Sequence, residues 1–117
     1  MKIKDLNGEV LFESEEITMK STLEKAVMEG VDLCRADLEG VNLKGANLKG
    51  ANFWGADLEF ANFWGANLEG ANLKFANLRS ANLEGANLEG ANLEVADLYR
   101  ANLKDANLYR ANFWGQI

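Results

Sequence analysis

From Val31 to Gly115 the chain repeats with a period of five, and that period excludes most folds. Seventeen units follow one another without a break, as in ANLKFANLRSANLEGANLEGANLEV over 71–95. The centre of each unit is Leu in fourteen cases and Phe in three (Phe53, Phe63, Phe113). Two places before it stands Ala in fifteen units and Val in two (Val31, Val41), and the place between is Asn or Asp in all seventeen. On a helix, successive centres would fall about 140° apart and spread over every face. Asn and Gly in each turn would weaken that helix further. A flat strand has period two and fails as well.

The pattern suits a short extended segment that then turns. The small residue and the large one point inward, with Ala near the corner where little room remains. Asn or Asp between them bonds nearby backbone amides. Gly closes nine units and tolerates the positive φ of a type II turn. Each unit is then one side of a coil, and coils stack at the ~4.8 Å spacing of paired strands. A lone unit cannot bury its own Leu, so stability comes from stacking. Eight units close without Gly, at Arg35, Phe60, Phe75, Ser80, Val95, Arg100, Asp105 and Arg110. Positive φ is costly for Val95 and for the two Phe, so a turn other than type II is expected at those three.

The tandem A(D/N)LXX units resemble the pentapeptide-repeat family, over 31–115. The resemblance implies an all-β solenoid: a right-handed, quadrilateral β-helix with twenty residues per coil. FWG recurs at 53–55, 63–65 and 113–115, and LYR at 98–100 and 108–110, spacings that are multiples of half such a coil. Seventeen units then make about four coils plus one extra side, with residue n stacked on n+20. Columns follow from that register. Cys34, Trp54, Lys74, Glu94 and Trp114 form one, in which Lys74 is expected to contact the Trp54 ring and pair with Glu94. Glu59 is expected over Arg79, Glu84 over Lys104, and Glu69 over Glu89 as a like-charge mismatch. Phe53 and Phe63 together fill the second coil.

Residues 1–30 break the pattern and read as an N-terminal cap, with the β-helix over 31–117. Asn7-Gly8 between apolar runs signals a type I′ hairpin. Ser21-Thr22-Leu23-Glu24 reads as a capping box for a helix over 22–29, with Gly30 as its C-terminal cap. This segment covers the exposed leucines and unpaired edge of the first coil. Nothing comparable follows the last coil, which leaves Leu98, Leu103, Leu108 and Phe113 poorly covered. A second copy stacked end to end, or a truncation, would account for this. The family resemblance favours a homodimer through the C-terminal coil.

The residue inventory points away from catalysis. The chain has no His and one Cys, Cys34, so the commonest general base and metal ligand are missing and no internal disulfide can form. Asp32, Asp37, Asp57 and Asp97 stand where the other units carry Asn, and backbone bonding explains them better than paired catalytic or metal-binding carboxylates. Cys34 reads as an incidental surface thiol beside Arg35. The glycines follow period five and form no phosphate-binding loop. No catalytic, cofactor or metal site is expected.

Net charge is −6, split as −3 in residues 1–30 and −3 in the remainder. The repeats mix both signs, which argues against direct nucleic-acid binding. No apolar run reaches the length of a membrane span, and MKIKDLNGEV lacks a secretory apolar stretch, so a cytoplasmic location is the expectation.

The anomaly is aromatic. Trp54, Phe60, Trp64, Phe75 and Trp114 occupy outward places. Trp54, Phe75 and Val95 are expected to cluster on one face, and Phe60 and Trp64 near one corner. Large rings simply covering neighbours along a column is the blander account. A non-enzymatic scaffold that binds another protein through these rings is the leading functional expectation. The family implies an alternative: a DNA mimic that binds DNA gyrase and confers quinolone resistance. Four coils span only ~20 Å, and bases interrupt the acids.

Overall fold

The computed structural model describes residues 1–115; Gln116 and Ile117, the end of the expected β-helix, lie outside the described residues. Within the repeats, twelve isolated parallel bridges join residue n to n+20, from Asp37–Asp57 through Asn92–Asn112. The coil therefore has twenty residues and four sides. Side one begins at 31, 51, 71, 91 and 111; side two at 36, 56, 76 and 96; side three at 41, 61, 81 and 101; side four at 46, 66, 86 and 106.

One unit, Ala61–Gly65, shows where every backbone donor goes. Ala61 N–H closes the turn on Leu58 O at 3.0 Å, and Asn62 N–H reaches back one coil to Val41 O at 2.9 Å. Phe63 and Gly65 donate forward to Asn82 O and Glu84 O at 2.7 and 2.9 Å. The fifth donor, Trp64 N–H, is taken by the unit's own Asn62 Oδ1 at 3.0 Å. This is the physical reason for Asn or Asp in every unit: no coil above or below offers an acceptor to the fifth amide, and an unmade bond costs about 1–3 kcal/mol where water is excluded. The free Asn Nδ2 then reaches the preceding coil, as in Asn82 to Asn62 Oδ1 at 3.4 Å and Asn107 to Asn87 Oδ1 at 3.2 Å.

All seventeen closing residues have positive φ, between 57° and 73°. The expectation of another turn at Phe60, Phe75 and Val95 is thus corrected: their φ values are 61°, 62° and 57°. Their amides donate to Arg79 O, Glu94 O and Trp114 O in the next coil, and only the left-handed conformation aims them there. Stacking overrides the ~1–2 kcal/mol conformational cost at these sites.

Leu and Ala fill the tube. Leu43, Leu58, Leu73 and Leu88 are fully buried, as are Phe53 and Phe63 in the second coil. Each buried Leu contributes roughly 1.5–3 kcal/mol of transfer free energy. In the last coil Leu98, Leu103, Leu108 and Phe113 are only half-buried.

The N-terminal segment forms a hairpin and a helix, with details that differ from the expectation. Strands β1 (Lys2–Lys4) and β2 (Val10–Glu13) pair antiparallel, with a register shift between Ile3 and Lys4. The connection is not a type I′ turn. Gly8 has φ 83° while Asn7 does not share it, and Asp5 N–H bonds Glu9 O across the three-residue loop Leu6-Asn7-Gly8. Asp5 Oδ1 accepts from both Asn7 and Glu9 N–H at 2.9 Å, which favours this longer loop. Helix α1 spans Met19–Met28, three residues earlier than expected, because Thr18 rather than Ser21 is the N-cap and accepts Ser21 N–H at 3.0 Å. It ends in a Schellman motif: Val31 N–H bonds Ala26 O and Gly30 N–H bonds Val27 O.

The cap docks on the first coil. Asp5 bridges Ala36 antiparallel, Leu6 N–H bonds Arg35 O, and Asp37 N–H bonds Lys4 O at 2.8 Å. Leu33, Leu43 and Leu48 are fully buried in consequence.

Candidate functional site

The n+20 register decides which outward side chains meet. Places four and five of each unit lie at the corners. At the corner from side one to side two, Trp54 and Phe75 come together edge to face, with centroids 5.5 Å apart and planes at 68°. Val95 follows Phe75 in that column, and Trp114 is the same place one coil beyond Glu94. Trp54 is 36% exposed, Phe75 47% and Trp114 72%. The expected cluster of Trp54 and Phe75 therefore exists. Phe60 and Trp64 are not brought together: Phe60 closes side two, while Trp64 stands at the far end of side three beneath the Lys44 ammonium at 5.0 Å.

Charged neighbours choose partners that the column pattern only half reveals. Lys74 pairs with Glu94 at 3.6 Å, as expected, but its cation lies over Phe75 at 5.5 Å and not over Trp54. The Trp54 ring is turned to Phe75 instead. Arg79 does not engage Glu59. It donates to Asp97 Oδ2 at 3.1 Å and covers the Tyr99 ring at 4.7 Å, one coil further on. Glu84 accepts the Asn102 amide at 3.3 Å in place of Lys104. Glu69, mismatched with Glu89, is relieved by Lys49 at 3.8 Å. Such exposed pairs contribute only ~0–1 kcal/mol each.

Two rings escaped the sequence-based candidates. Tyr99 is covered by Arg79 and also by Arg100 at 5.4 Å, and Tyr109 by Arg110 at 5.1 Å. The LYR recurrence at 98–100 and 108–110 was the available signal.

Cys34 is half-buried, and its thiol pKa is raised by burial and by Asp32, with Arg35 opposing. That fits the bland reading of this residue. Asp97 is held below the usual carboxyl range, first by the Tyr99 N–H and then by Arg79. Asp32, Asp57 and Asp97 each accept the amide two residues on, at 3.0–3.1 Å, the backbone role expected for them, whereas Asp37 does not accept the Glu39 N–H. Among the described residues no group of three or more Cys, Asp or Glu is placed to hold a metal ion, and no helix is long and apolar enough to cross a membrane. A groove of about 680 Å³ beside α1, lined by Glu24, Val27, Met28, Asn47, Lys49 and Gly50, holds a single carboxylate, already engaged with Asn47 N–H.

Comparison with known proteins accounts for this architecture. No curated protein matches the sequence. Among solved structures, Rfr23 from the cyanobacterium Cyanothece 51142, a pentapeptide repeat protein, is 36% identical with a TM-score of 0.67, over 69% of this chain and 56% of that one. Alr5209 from Nostoc PCC 7120, also a pentapeptide repeat protein, is 40% identical with a TM-score of 0.51, over 74% of this chain and 72% of that one. The chain thus spans little more than half the length of Rfr23. QnrB1, a plasmid-mediated fluoroquinolone resistance protein, is 22% identical with a TM-score of 0.37, over 75% of this chain and 47% of that one. A model of pentapeptide repeats matches residues 20–55, 36–74, 51–90 and 76–115 in eight copies. The coil of twenty is the right-handed quadrilateral β-helix of these proteins, and the chain belongs to the pentapeptide repeat family.

Proposed function

We propose that the chain is a non-enzymatic β-helix that binds another protein through the corner between sides one and two. The observation that carries this reading is the Trp54–Phe75 contact. Two large rings are held rigidly against one another at the surface, on a backbone fixed by coil-to-coil hydrogen bonds. Rigid, exposed aromatics bury much apolar area on binding and lose little side-chain entropy, which is why such residues dominate interface energetics. A ring serving only as cover for its own column would not need the orthogonal partner that Trp54 has.

The test is capture of a partner from cell extract by the immobilised protein. Trp54→Ala and Phe75→Ala are expected to lose the partner, at about 2 kcal/mol or more each. Trp64→Ala, on side three, is expected to retain it. Equal retention by all three variants would remove the corner from consideration. Gyrase binding remains the alternative that family membership raises. Unchanged supercoiling activity at high protein concentration eliminates it.

A further inference from the structure

The fourteen asparagines of the chain stand in two chemical settings. Thirteen lie in the repeats, each followed by Leu or Phe. In all thirteen the side-chain oxygen accepts the amide two residues on, which fixes the carboxamide. In ten of them the next amide is also taken by the following coil, as Leu83 N–H is by Asn102 O at 2.7 Å. Asn7 has neither restraint. Its backbone N–H is held by Asp5 Oδ1, but among the described residues its carboxamide has no hydrogen-bond partner. The residue after it is Gly8, the one glycine in the chain that follows an asparagine, and both are exposed with open space around Gly8.

Asparagine is chemically labile when the nitrogen of the next residue can reach its side-chain Cγ. A new N–Cγ bond closes a cyclic succinimide, the bond from Cγ to the amide nitrogen breaks, and ammonia leaves with the proton of the attacking N–H. Water then opens the ring at either carbonyl. One cut gives aspartate; the other gives isoaspartate, whose main chain runs through the β-carbon. A Cβ on the following residue crowds the attacking nitrogen, and glycine has none. The Gly8 amide is held only by Asp5 O at 2.9 Å, in an exposed loop of the kind that opens at small cost. We infer that Asn7-Gly8 is a site of spontaneous deamidation and isomerisation, and that the isoaspartyl form unlatches the cap from the first coil. The loop Leu6-Asn7-Gly8 gains a methylene in its main chain and a carboxylate beside Asp5 and Glu9. Its neighbours carry the docking contacts: Leu6 N–H on Arg35 O at 2.9 Å, the Asp5–Ala36 bridge, and Lys4 O on Asp37 N–H. The isoaspartyl carboxylate is also the group that a repair methyltransferase esterifies with S-adenosylmethionine, so the converted cap is a substrate for that enzyme class.

The test incubates the full chain at mildly alkaline pH and maps its peptides by mass, with fragmentation that separates aspartate from isoaspartate. An isoaspartyl methyltransferase with labelled S-adenosylmethionine measures the second product independently. Asn7 is expected to convert at least tenfold faster than any repeat asparagine. Hydrogen exchange of the Leu6 and Asp37 amides is expected to quicken several-fold in the incubated protein. It should stay unchanged in incubated Asn7→Ser, which cannot form the succinimide. An Asn7 that stays intact, or a repeat asparagine that keeps pace with it, overturns the proposal. So does a loosening of Leu6 and Asp37 that Asn7→Ser shares, or an isoaspartyl form in which both amides remain protected.

Discussion

Glu24 Oε2 accepts the backbone N–H of Asn47 at 2.8 Å, joining helix α1 to side four of the first coil. In every later coil the equivalent amide bonds an alanine carbonyl of the coil before, as Asn67 N–H bonds Ala46 O. The first coil has no predecessor, and the helix carboxylate stands in for it. On side two the Lys4 carbonyl does the same for Asp37. The cap is thus a surrogate coil at two of four sides.

Glu24→Ala is expected to lower stability by about 1 kcal/mol, since the bond is charge-assisted but reachable by water. Thr18→Ala should cost a similar amount through loss of the N-cap. Urea unfolding of each variant and of the pair checks this. The two losses should add, because the bonds share no partner.

The Asn ladder predicts an order of effects at Asn82. Its Oδ1 accepts Glu84 N–H at 3.0 Å, and its Nδ2 reaches Asn62 at 3.4 Å. Its Oδ1 also accepts the Asn102 amide at 3.4 Å. Asn82→Ala removes all three and is expected to cost about 1–2 kcal/mol. Asn82→Asp keeps the two acceptor bonds, from Glu84 N–H and Asn102 Nδ2, and should cost less. Equal losses in chemical denaturation would mean that the amide two residues on does not depend on this acceptor.

Among the described residues Val95 is the one β-branched residue held at positive φ. Val95→Gly should raise stability by up to about 1 kcal/mol, as relief of strain exceeds the extra freedom gained by the unfolded chain. The reverse change at Gly85, to Val, should be destabilising. Thermal melts of the two variants, moving in opposite directions, are the expected result.

Asp97 carries a pH signature. Its carboxyl is depressed when folded, chiefly by the Tyr99 N–H and also by Arg79. A depressed carboxyl contributes stability that is present above its unfolded pKa and is lost as pH falls through the folded value. Asp97→Asn should therefore be less stable than the parent near neutrality, with the gap closing in the acid limb. A gap that stays constant with pH would contradict this assignment.

Cys34 should alkylate more slowly than a free thiol near neutral pH, because its pKa is raised by burial and by Asp32. Asp32→Asn should speed the reaction modestly. A Cys34 faster than a model thiol would show that Arg35 dominates instead.

The period of five alone determined the inward Ala and Leu, the outward Asn, the turn at every fifth residue and the family. Those features are legible because each unit repeats one local geometry, and local geometry is what a periodic pattern encodes. Tertiary structure decided the rest. Phe60, Phe75 and Val95 take the left-handed conformation because the next coil's carbonyls demand it, against their own preference. Lys74 turns to Phe75 and Arg79 to Asp97 because corner angles, which the spacing does not report, set which neighbour lies in reach. Helix α1 starts at Met19 because Thr18 is its N-cap, and Glu24, within the helix, accepts Asn47 N–H because the first coil has no predecessor to supply a carbonyl. The Trp54–Phe75 cluster was foreseen as two rings on one face in adjacent coils. Its edge-to-face contact exists only once the second and third coils are stacked.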